Sequence, residues 1–474
     1  MRLIAMIATL LSVACAGPLA LSQPSRQGVV DRPDVLFITV DDMNNWITLL
    51  NSDAPIKTPN LERLAKRGTL FTQAHCASPS CNPSRTATLT GLRPTTTGVY
   101  RNNSDWRRAV PDRPTIMQRF MEGGYEVCGA GKIFHHLKRG AFHDDASFED
   151  FQPMAAQSYP PQKLGGLPGY GSRNTDWGAW PINENESIDY QTVTYCINAL
   201  GRPAGDRPRF LACGIYRPHS PFYAPASYHT PYEDIPLPPR IESDWDDLPS
   251  GAETLMKSTS WFWRGMVKNE ETRPGSYHRF IQAYAACVAY ADAQVGRLLD
   301  ALDQSPRGNQ TIIVFWSDHG FHLGEKNHIE KFGLWQKTTH IPFIVVAPGV
   351  AEPGSRCSAP VDMTVIYPTL LALCGLPEDP QADGVSIVPL LKNPWASWDR
   401  PAIMTYLPGN HAVRSERWRY IRYQDGSEEL YDHTTDPNEW YNLADDPRLS
   451  EVLAEHRLWL PENEAPVIPD LGKD

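Results

Sequence analysis

Two hydrophobic patterns organise this chain. Val35-Leu36-Phe37-Ile38-Thr39-Val40 and Thr311-Ile312-Ile313-Val314-Phe315-Trp316 are continuous apolar, β-branched runs, as expected of strands covered on both faces. Phe210 to Tyr216 and Tyr125 to Ala130 read as two more strands. Between Phe210 and Thr311, Ile281, Tyr284, Val288, Ala291, Val295, Leu298 and Leu302 alternate by three and four, which predicts one face of a long amphipathic helix packed on the core. After Pro401 the pattern changes: Arg419 to Tyr423 and Glu428 to Tyr431 flank a turn containing Asp425-Gly426, a hairpin signature. The expected class is α/β, with a mostly parallel central sheet between helices and a small antiparallel sheet near the C-terminus.

Chemistry-bearing residues follow the strands directly. The first run ends in Asp41-Asp42 and the second in Ser317-Asp318-His319-Gly320. Ligands of parallel α/β sheets sit at such carboxyl ends. Asp41-Asp42 alone reads equally as a strand-end turn or a cap. Two adjacent carboxylates with a third repel one another unless a cation sits among them, and an oxygen-rich set favours a hard divalent ion such as Ca2+ over zinc. The strand from Phe210 leads into Arg217-Pro218-His219-Ser220-Pro221-Phe222, and the strand from Tyr125 into Gly131-Lys132-Ile133-Phe134-His135.

Length and composition bound what these motifs can serve. A chain of 474 residues suits one large domain and a smaller one. Its formal charge of −11 argues against nucleic acid as a partner, so an anionic substrate needs a local cluster of cations. Arg2 and the apolar run Leu3 to Ala16, with the small pair Ala14 and Ala16, predict a signal peptide over residues 1–22 and a secreted or periplasmic protein. Cys15 leaves a lipoprotein as the alternative, and no later segment is apolar enough to cross a membrane. Among the remaining cysteines, Cys213 and Cys287 lie in apolar settings and are expected in the core, unbridged. Phe151 to Pro274 is rich in proline, glycine and aromatic residues without clear periodicity, which predicts long substrate-side loops. Three glycosylation sequons, including Asn102-Asn103-Ser104, are present by spelling alone.

The most telling stretch is Cys81-Asn82-Pro83-Ser84-Arg85, continued by Thr86-Ala87-Thr88-Leu89-Thr90-Gly91. By residue type alone it is equally a buried cysteine opening a short helix with Pro83 in its first turn. As a motif, C-x-P-S-R followed by T-G resembles the modification signature of type I sulfatases. The blocks G-K-x-F-H at 131–135, P-H-x-P-F at 218–222, Asp318 to Glu325 with Lys331, and Thr339-His340-Ile341-Pro342-Phe343 extend the resemblance over about residues 31–445. It is strongest to the iduronate-2-sulfatase-type branch, because His319 stands where many members have asparagine.

The resemblance implies an alkaline-phosphatase-like fold, with a catalytic domain over 31–395 and a C-terminal subdomain over 396–474. It implies a sulfuric ester hydrolase acting on a sulfated saccharide, with a sulfated uronate as the narrower expectation. Cys81 would be oxidised to formylglycine by a separate maturation enzyme. One Ca2+ per subunit would be held by Asp41, Asp42, Asp318, His319 and the residue at 81. Lys132 and Lys331 would neutralise the sulfuryl oxygens, and Lys331 or His219 would protonate the departing oxygen. Arg85 would hold the formylglycine hydroxyl, Asp318 would take its proton, and His135 would deprotonate the second hydroxyl. Two alternatives are a phosphodiesterase or phosphonate monoester hydrolase of the same superfamily, and a catalytically silent glycan-binding relative. His322 has no role in these blocks and is expected to face either the substrate or the surface. His411, Arg414, Arg417 and Trp418 are expected to line the cleft or to form a solvated strand face.

Overall fold

Eight strands build the central sheet of the computed structural model: β1 (Val35–Asp41), β2 (Thr69–Phe71), β3 (Glu126–Gly131), β4 (Asp150–Gln152), β5 (Arg209–Pro218), β6 (Ile312–Ser317), β7 (Phe343–Val346) and β8 (Ser355–Cys357). The structure describes residues 32–135, 142–166, 169–203 and 205–470, so the expected signal peptide and Cys15 lie outside the described residues. Across the sheet the order is β8-β2-β7-β6-β1-β5-β3-β4. β7 runs antiparallel to β2 and β6, and the remaining pairs are parallel.

The continuous apolar runs follow from the two layers that cover this sheet. Leu36, Ile38 and Val40 of β1 enter one layer, together with Leu61 and Leu64 of α1 (Pro59–Ala65). Val35 and Phe37 point the other way and meet Leu89 of α2 (Cys81–Thr90). Side chains alternate across a strand, so a strand buried on both faces has no polar positions to show. Val193 of α3 (Ile188–Leu200) and Ile281, Tyr284, Val288 and Val295 of α4 (Ser276–Asp303) complete the first layer. Ile366 and Leu370 of α5 (Ile366–Leu373) complete the second. Each such fully buried Leu, Ile or Phe stabilises the fold by roughly 1.5–3 kcal/mol.

The smaller sheet is antiparallel, in the order β9 (Ala402–Thr405), β10 (His411–Arg414), β11 (Trp418–Arg422) and β12 (Glu428–Asp432). The Asp425-Gly426 turn lies between β11 and β12 as expected. Tyr423 and Ser427 close a three-residue loop, with Gly426 at φ 90°, a conformation that suits glycine. Arg419 of β11 reaches out of this sheet to the Leu334 carbonyl at 2.9 Å and to Glu439 at 2.5 Å.

The described cysteines are all buried and unbridged. One expectation fails. Phe151 to Pro274 is not chiefly loop, since it contains α3, β5 and two consecutive helices, Ser250–Thr259 and Trp261–Thr272. The last of these buries Phe262, Gly265, Met266 and Asn269. That stripe has helical spacing, but the helix has 12 residues against the 28 of α4 and is more polar on average, so the stripe does not stand out from its surroundings.

Candidate active site

Cys81 opens α2, and all ten residues of that helix are buried. A helix with so many polar residues can be buried only if they are satisfied internally. Thr88 and Thr90 donate to the carbonyls of Ser84 and Thr86, and the Ser84 hydroxyl donates to the Asp318 carbonyl at 2.5 Å. Pro83 costs nothing in the first turn, where its N–H would have no helical partner. Gly91 ends the helix at φ 72°, a left-handed cap that bonds back to Ala87. At the other end the cap comes from a different loop: Asn102 Oδ1 accepts from the Asn82 N–H at 3.0 Å and the Ser80 hydroxyl at 2.8 Å.

The strand ends bring the carboxylates to this helix start. Asp41 Oδ1 lies 3.7 Å from the Cys81 sulfur. Asp42 adopts φ 65°, and its carbonyl accepts from the Tyr284 hydroxyl of α4 at 2.9 Å. From β6, Asp318 Oδ2 accepts from Arg85 Nε at 2.8 Å, while Oδ1 accepts from the N–H groups of Asp42 and His319. His319 Nε2 is 3.2 Å from the Cys81 sulfur, and its Nδ1 is 3.3 Å from Asp42 Oδ1.

The expected cations converge on the same point. Lys331 Nζ lies 3.0 Å from the Cys81 sulfur and 3.1 Å from Asp42 Oδ1. Lys132 Nζ is 3.8 Å from the sulfur and pairs closely with Asp41. His135 hydrogen-bonds the Cys81 side chain. His219 is farther out, 3.9 Å from Asp42, with its Nδ1 on the Ser220 carbonyl and its ring against Tyr216. Arg85 also holds the carbonyls of Lys132 and Ile133, so one guanidinium ties α2, β6 and the end of β3 together. Every residue expected at the site is therefore brought to one place.

Charge balance dominates the electrostatics of this buried cluster. Burial alone would push the Cys81 thiol up, but Lys132, Lys331 and His319, with the bond from His135, hold it well below the ordinary thiol range. Burial likewise works against the Asp41 carboxylate, yet Lys132, His219 and Arg85 keep it well below the usual range. Asp318 is pushed up to about 6, chiefly by burial, with Arg85 opposing. For His319 burial disfavours the charged ring, but Asp318 and Cys81 raise it to about 9. Burial opposes the Lys331 ammonium too, and Asp42 and Cys81 prevail, lifting it well above its ordinary value.

The donor atoms suit a divalent ion. Asp41, Cys81, Asp318 and His319 each offer one donor atom, all within 4.8 Å of one another, as do Asp41, Asp42, Cys81 and His219. Asp41 Oδ2 is fully buried, paired with the Lys132 ammonium and 3.5 Å from the Arg85 guanidinium. Each group of residues joins two carboxylates to an imidazole and the side chain at 81, with Asp41 common to both, so carboxylate oxygen supplies half of each donor set.

Other expectations are corrected. His322 faces neither substrate nor surface: its ring is 1% exposed, with Nδ1 3.2 Å from the Glu325 carbonyl and an edge contact to Trp335. His411 and Arg414 are buried, His411 between Thr405 and Glu464, and so form neither a cleft wall nor a solvated face. Arg417 is exposed but engaged by Asp432, and Trp418 is partly buried beside it. No residue pattern marks Asn102 as a cap or singles out Glu330. The Glu330 carboxyl, beside Lys331, is pushed up to about 8 by burial. Around it Lys326, Asn327, Glu330 and Phe332 all take positive φ, between 48° and 133°. Such strain clusters at functional sites, and no residue pattern announces it here.

Known proteins share this arrangement of chain and fold. The family model "Sulfatase" matches residues 33–376, and the model "N-sulphoglucosamine sulphohydrolase, C-terminal" matches residues 324–464. A sulfatase of Formosa agariphila is 38% identical over 93% of this chain and 88% of its own length. The iduronate 2-sulfatase of Homo sapiens is 31% identical over 76% of this chain and 72% of its own length. In fold, the chain is similar to a 2-O GAG sulfatase, with a TM-score of 0.70 and 23% identity over 90% of this chain and 91% of that one. A phosphonate monoester hydrolase of Agrobacterium radiobacter is similar too, with a TM-score of 0.71 and 22% identity over 90% and 94% of the two chains. The two structures speak for the fold alone, whereas the family model spans residues 33–376 and the Formosa agariphila sulfatase is 38% identical over 93% of this chain, and by them this chain belongs to the sulfatase family.

Proposed function

We propose that the protein removes sulfate from a sulfated carbohydrate through a formylglycine made from Cys81, with Ca2+ held by Asp41, Asp42, Asp318, His319 and the residue at 81. The observation that carries this reading is the convergence of Lys331, His319, Asp41 and Lys132 within 3.0 to 3.8 Å of the Cys81 sulfur. A structural cysteine needs no such shell of charge. The human iduronate 2-sulfatase among the relatives makes a 2-O-sulfated uronate the narrower reading.

Formylglycine would supply, as its geminal diol, one hydroxyl to attack sulfur with loss of the sugar oxygen and a second to expel sulfate as the carbonyl re-forms. The cation would neutralise the sulfuryl oxygens. The chain's own residues do the rest. Lys132 and Lys331, 3.8 and 3.0 Å from the sulfur at position 81, would hold a sulfate ester with its sulfur toward the side chain. Arg85 fixes Asp318 through Nε, which orients that carboxylate toward the attacking hydroxyl's proton. His135 bonds to position 81 and is placed to take the proton of the second hydroxyl. His219 sits at the outer edge, beyond Asp42, where the leaving oxygen emerges; it or Lys331 supplies the proton to that oxygen.

No helix among the described residues is long and apolar enough to cross a membrane. With the apolar N-terminal run, we read the protein as secreted or periplasmic, or as a lipoprotein through Cys15, and matured by a formylglycine-generating enzyme. Residues 396–474 form its C-terminal subdomain in this reading.

Peptide mass spectrometry of protein from its native host tests the modification: the Cys81 peptide should be about 18 Da lighter than the thiol form. Sulfate release from sulfated saccharides tests the activity. A phosphate diester or phosphonate monoester hydrolysed faster than every sulfated sugar would replace this reading with the hydrolase alternative. Glycan binding by a protein with an unmodified thiol, and no release even after maturation, would favour the silent one.

A further inference from the structure

A second feature lies beside the nucleophile, at the outer side of Lys331. Phe332 follows Lys331 and stacks on Tyr406, with ring centroids 5.6 Å apart, and its N–H donates to the Pro79 carbonyl two residues before Cys81. Past Tyr406 opens a cleft of about 400 Å³, lined by Arg101, Leu255, Leu407, Asn410, Gln424 and Asp425 among others. That volume is in the range of a small-molecule site.

Arg101 belongs to the loop that caps α2, since its carbonyl accepts from Asn82 Nδ2 at 3.1 Å and the next residue is the capping Asn102. Its side chain is exposed, and among the described residues it has no carboxylate partner. The acid across the cleft is already engaged: Asp425 accepts from the Ser250 hydroxyl at 2.6 Å and from the Ser427 hydroxyl and N–H. Asn410 is spent on Gln424 N and the Pro408 carbonyl, leaving the Gln424 amide exposed. Opposite, Leu407 is held at φ 59°, a strained conformation for a bulky residue, and the surroundings maintain it. The cleft thus presents apolar walls, one exposed amide, the hydrogen-bonded and still ionised Asp425 carboxylate, and one guanidinium with no carboxylate partner among the described residues, in a chain whose overall charge is −11.

We propose that this cleft is the subsite for the sugar next to the sulfated one, and that Arg101 recognises a second anionic substituent, a carboxylate or a sulfate, carried there. The proposal rests on the carbohydrate-sulfatase reading above. A guanidinium holds either group through paired N–H donors, and a neutral hydroxyl in that place forgoes the charge-assisted bonds.

The test uses Cys81→Ala protein, which binds without turnover, and three sulfated disaccharides that differ only in the neighbouring sugar: carboxylate, sulfate or hydroxyl. Calorimetry should give the two anionic ligands a Kd at least about tenfold lower than the neutral one at low salt. Adding Arg101→Ala should bring the ratio close to one, and the two anionic arms show which substituent is preferred. No preference among the three, or a preference that Arg101→Ala leaves intact, overturns the proposal. Turnover of a small aryl sulfate by the matured wild-type protein reads the sulfatase assignment separately. Turnover without anion selectivity sinks this subsite alone, and selectivity without turnover of any sulfate ester sinks only the assignment.

Discussion

Lys331 places its ammonium 3.0 Å from the sulfur of Cys81, although 250 residues separate them in the chain. The contact joins a strained hairpin to the first residue of a buried helix. Replacing Lys331 with Ala should lower kcat/KM on a sulfated saccharide by about 100-fold or more, the scale of losing one charge aimed at the reacting group. Steady-state kinetics decide it, and a variant with wild-type kcat/KM would take Lys331 out of the mechanism.

Cys81→Ala should abolish sulfate release while leaving the far-ultraviolet circular dichroism of the protein unchanged. The methyl fits a site already built for a small side chain, so any destabilisation should stay near about 1 kcal/mol. Residual release by the purified variant would refute the nucleophile assignment.

Three clustered carboxylates predict a metal requirement that can be read without turnover. Chelation should lower Tm, and titrating Ca2+ back should raise it steadily with concentration, as linkage requires. A Tm indifferent to Ca2+ but responsive to Zn2+ would mean that His319 and position 81 dominate the donor set.

The buried ion pair beside the small sheet should be costly to break. Arg419 and Glu439 are both buried, and His433 adds a second contact to Glu439 at 2.9 Å. Arg419→Ala leaves a buried carboxylate short of its guanidinium and should destabilise the protein by about 3–5 kcal/mol. Arg419→Ala with Glu439→Gln should cost less than the single change, a double-mutant comparison that denaturant titration can make.

His340 predicts how the fold responds to acid. Its Nδ1 receives amide groups from Asn45 at 2.9 Å and Gln336 at 3.1 Å, and Nε2 faces the Thr72 carbonyl at 2.9 Å. Nδ1 is therefore an acceptor, and the ring is held neutral. Burial, with Arg414 and Arg419 beyond it, pushes its pKa down to about 3 from an ordinary 6.5. The unfolded chain binds the proton first, so the stability that neutral His340 confers is complete above pH 6.5 and is lost as pH falls toward 3. The loss is on the order of 5 kcal/mol over that window. Unfolding free energies of wild type and His340→Gln across this range should converge as the pH drops; parallel curves would exclude this histidine.

The core of the site was legible because its parts carry local signatures. β1 and β6 announce themselves as doubly buried runs, and each ends where its acids begin, so Asp41, Asp42 and Asp318 could be placed before any contact was known. The long helix α4 showed its stripe for the same reason. What stayed hidden depends on partners far away in the chain. Asn102 is a cap only because α2 lies next to its loop, and His322 is buried only because Trp335 and Glu325 close over it. The helices between Ser250 and Thr272 are short and rich in polar residues, so their stripes do not stand out as that of α4 does, and positive φ at Glu330 and Phe332 leaves no mark in residue type.

The complete burial of α2 also sets an order of events in the life of the protein. The folded chain offers none of Cys81, Pro83, Ser84 or Arg85 to a second protein. If Cys81 is oxidised as proposed, that step would have to come before the core closes. The yield of active protein would then report a race between two rates rather than an equilibrium.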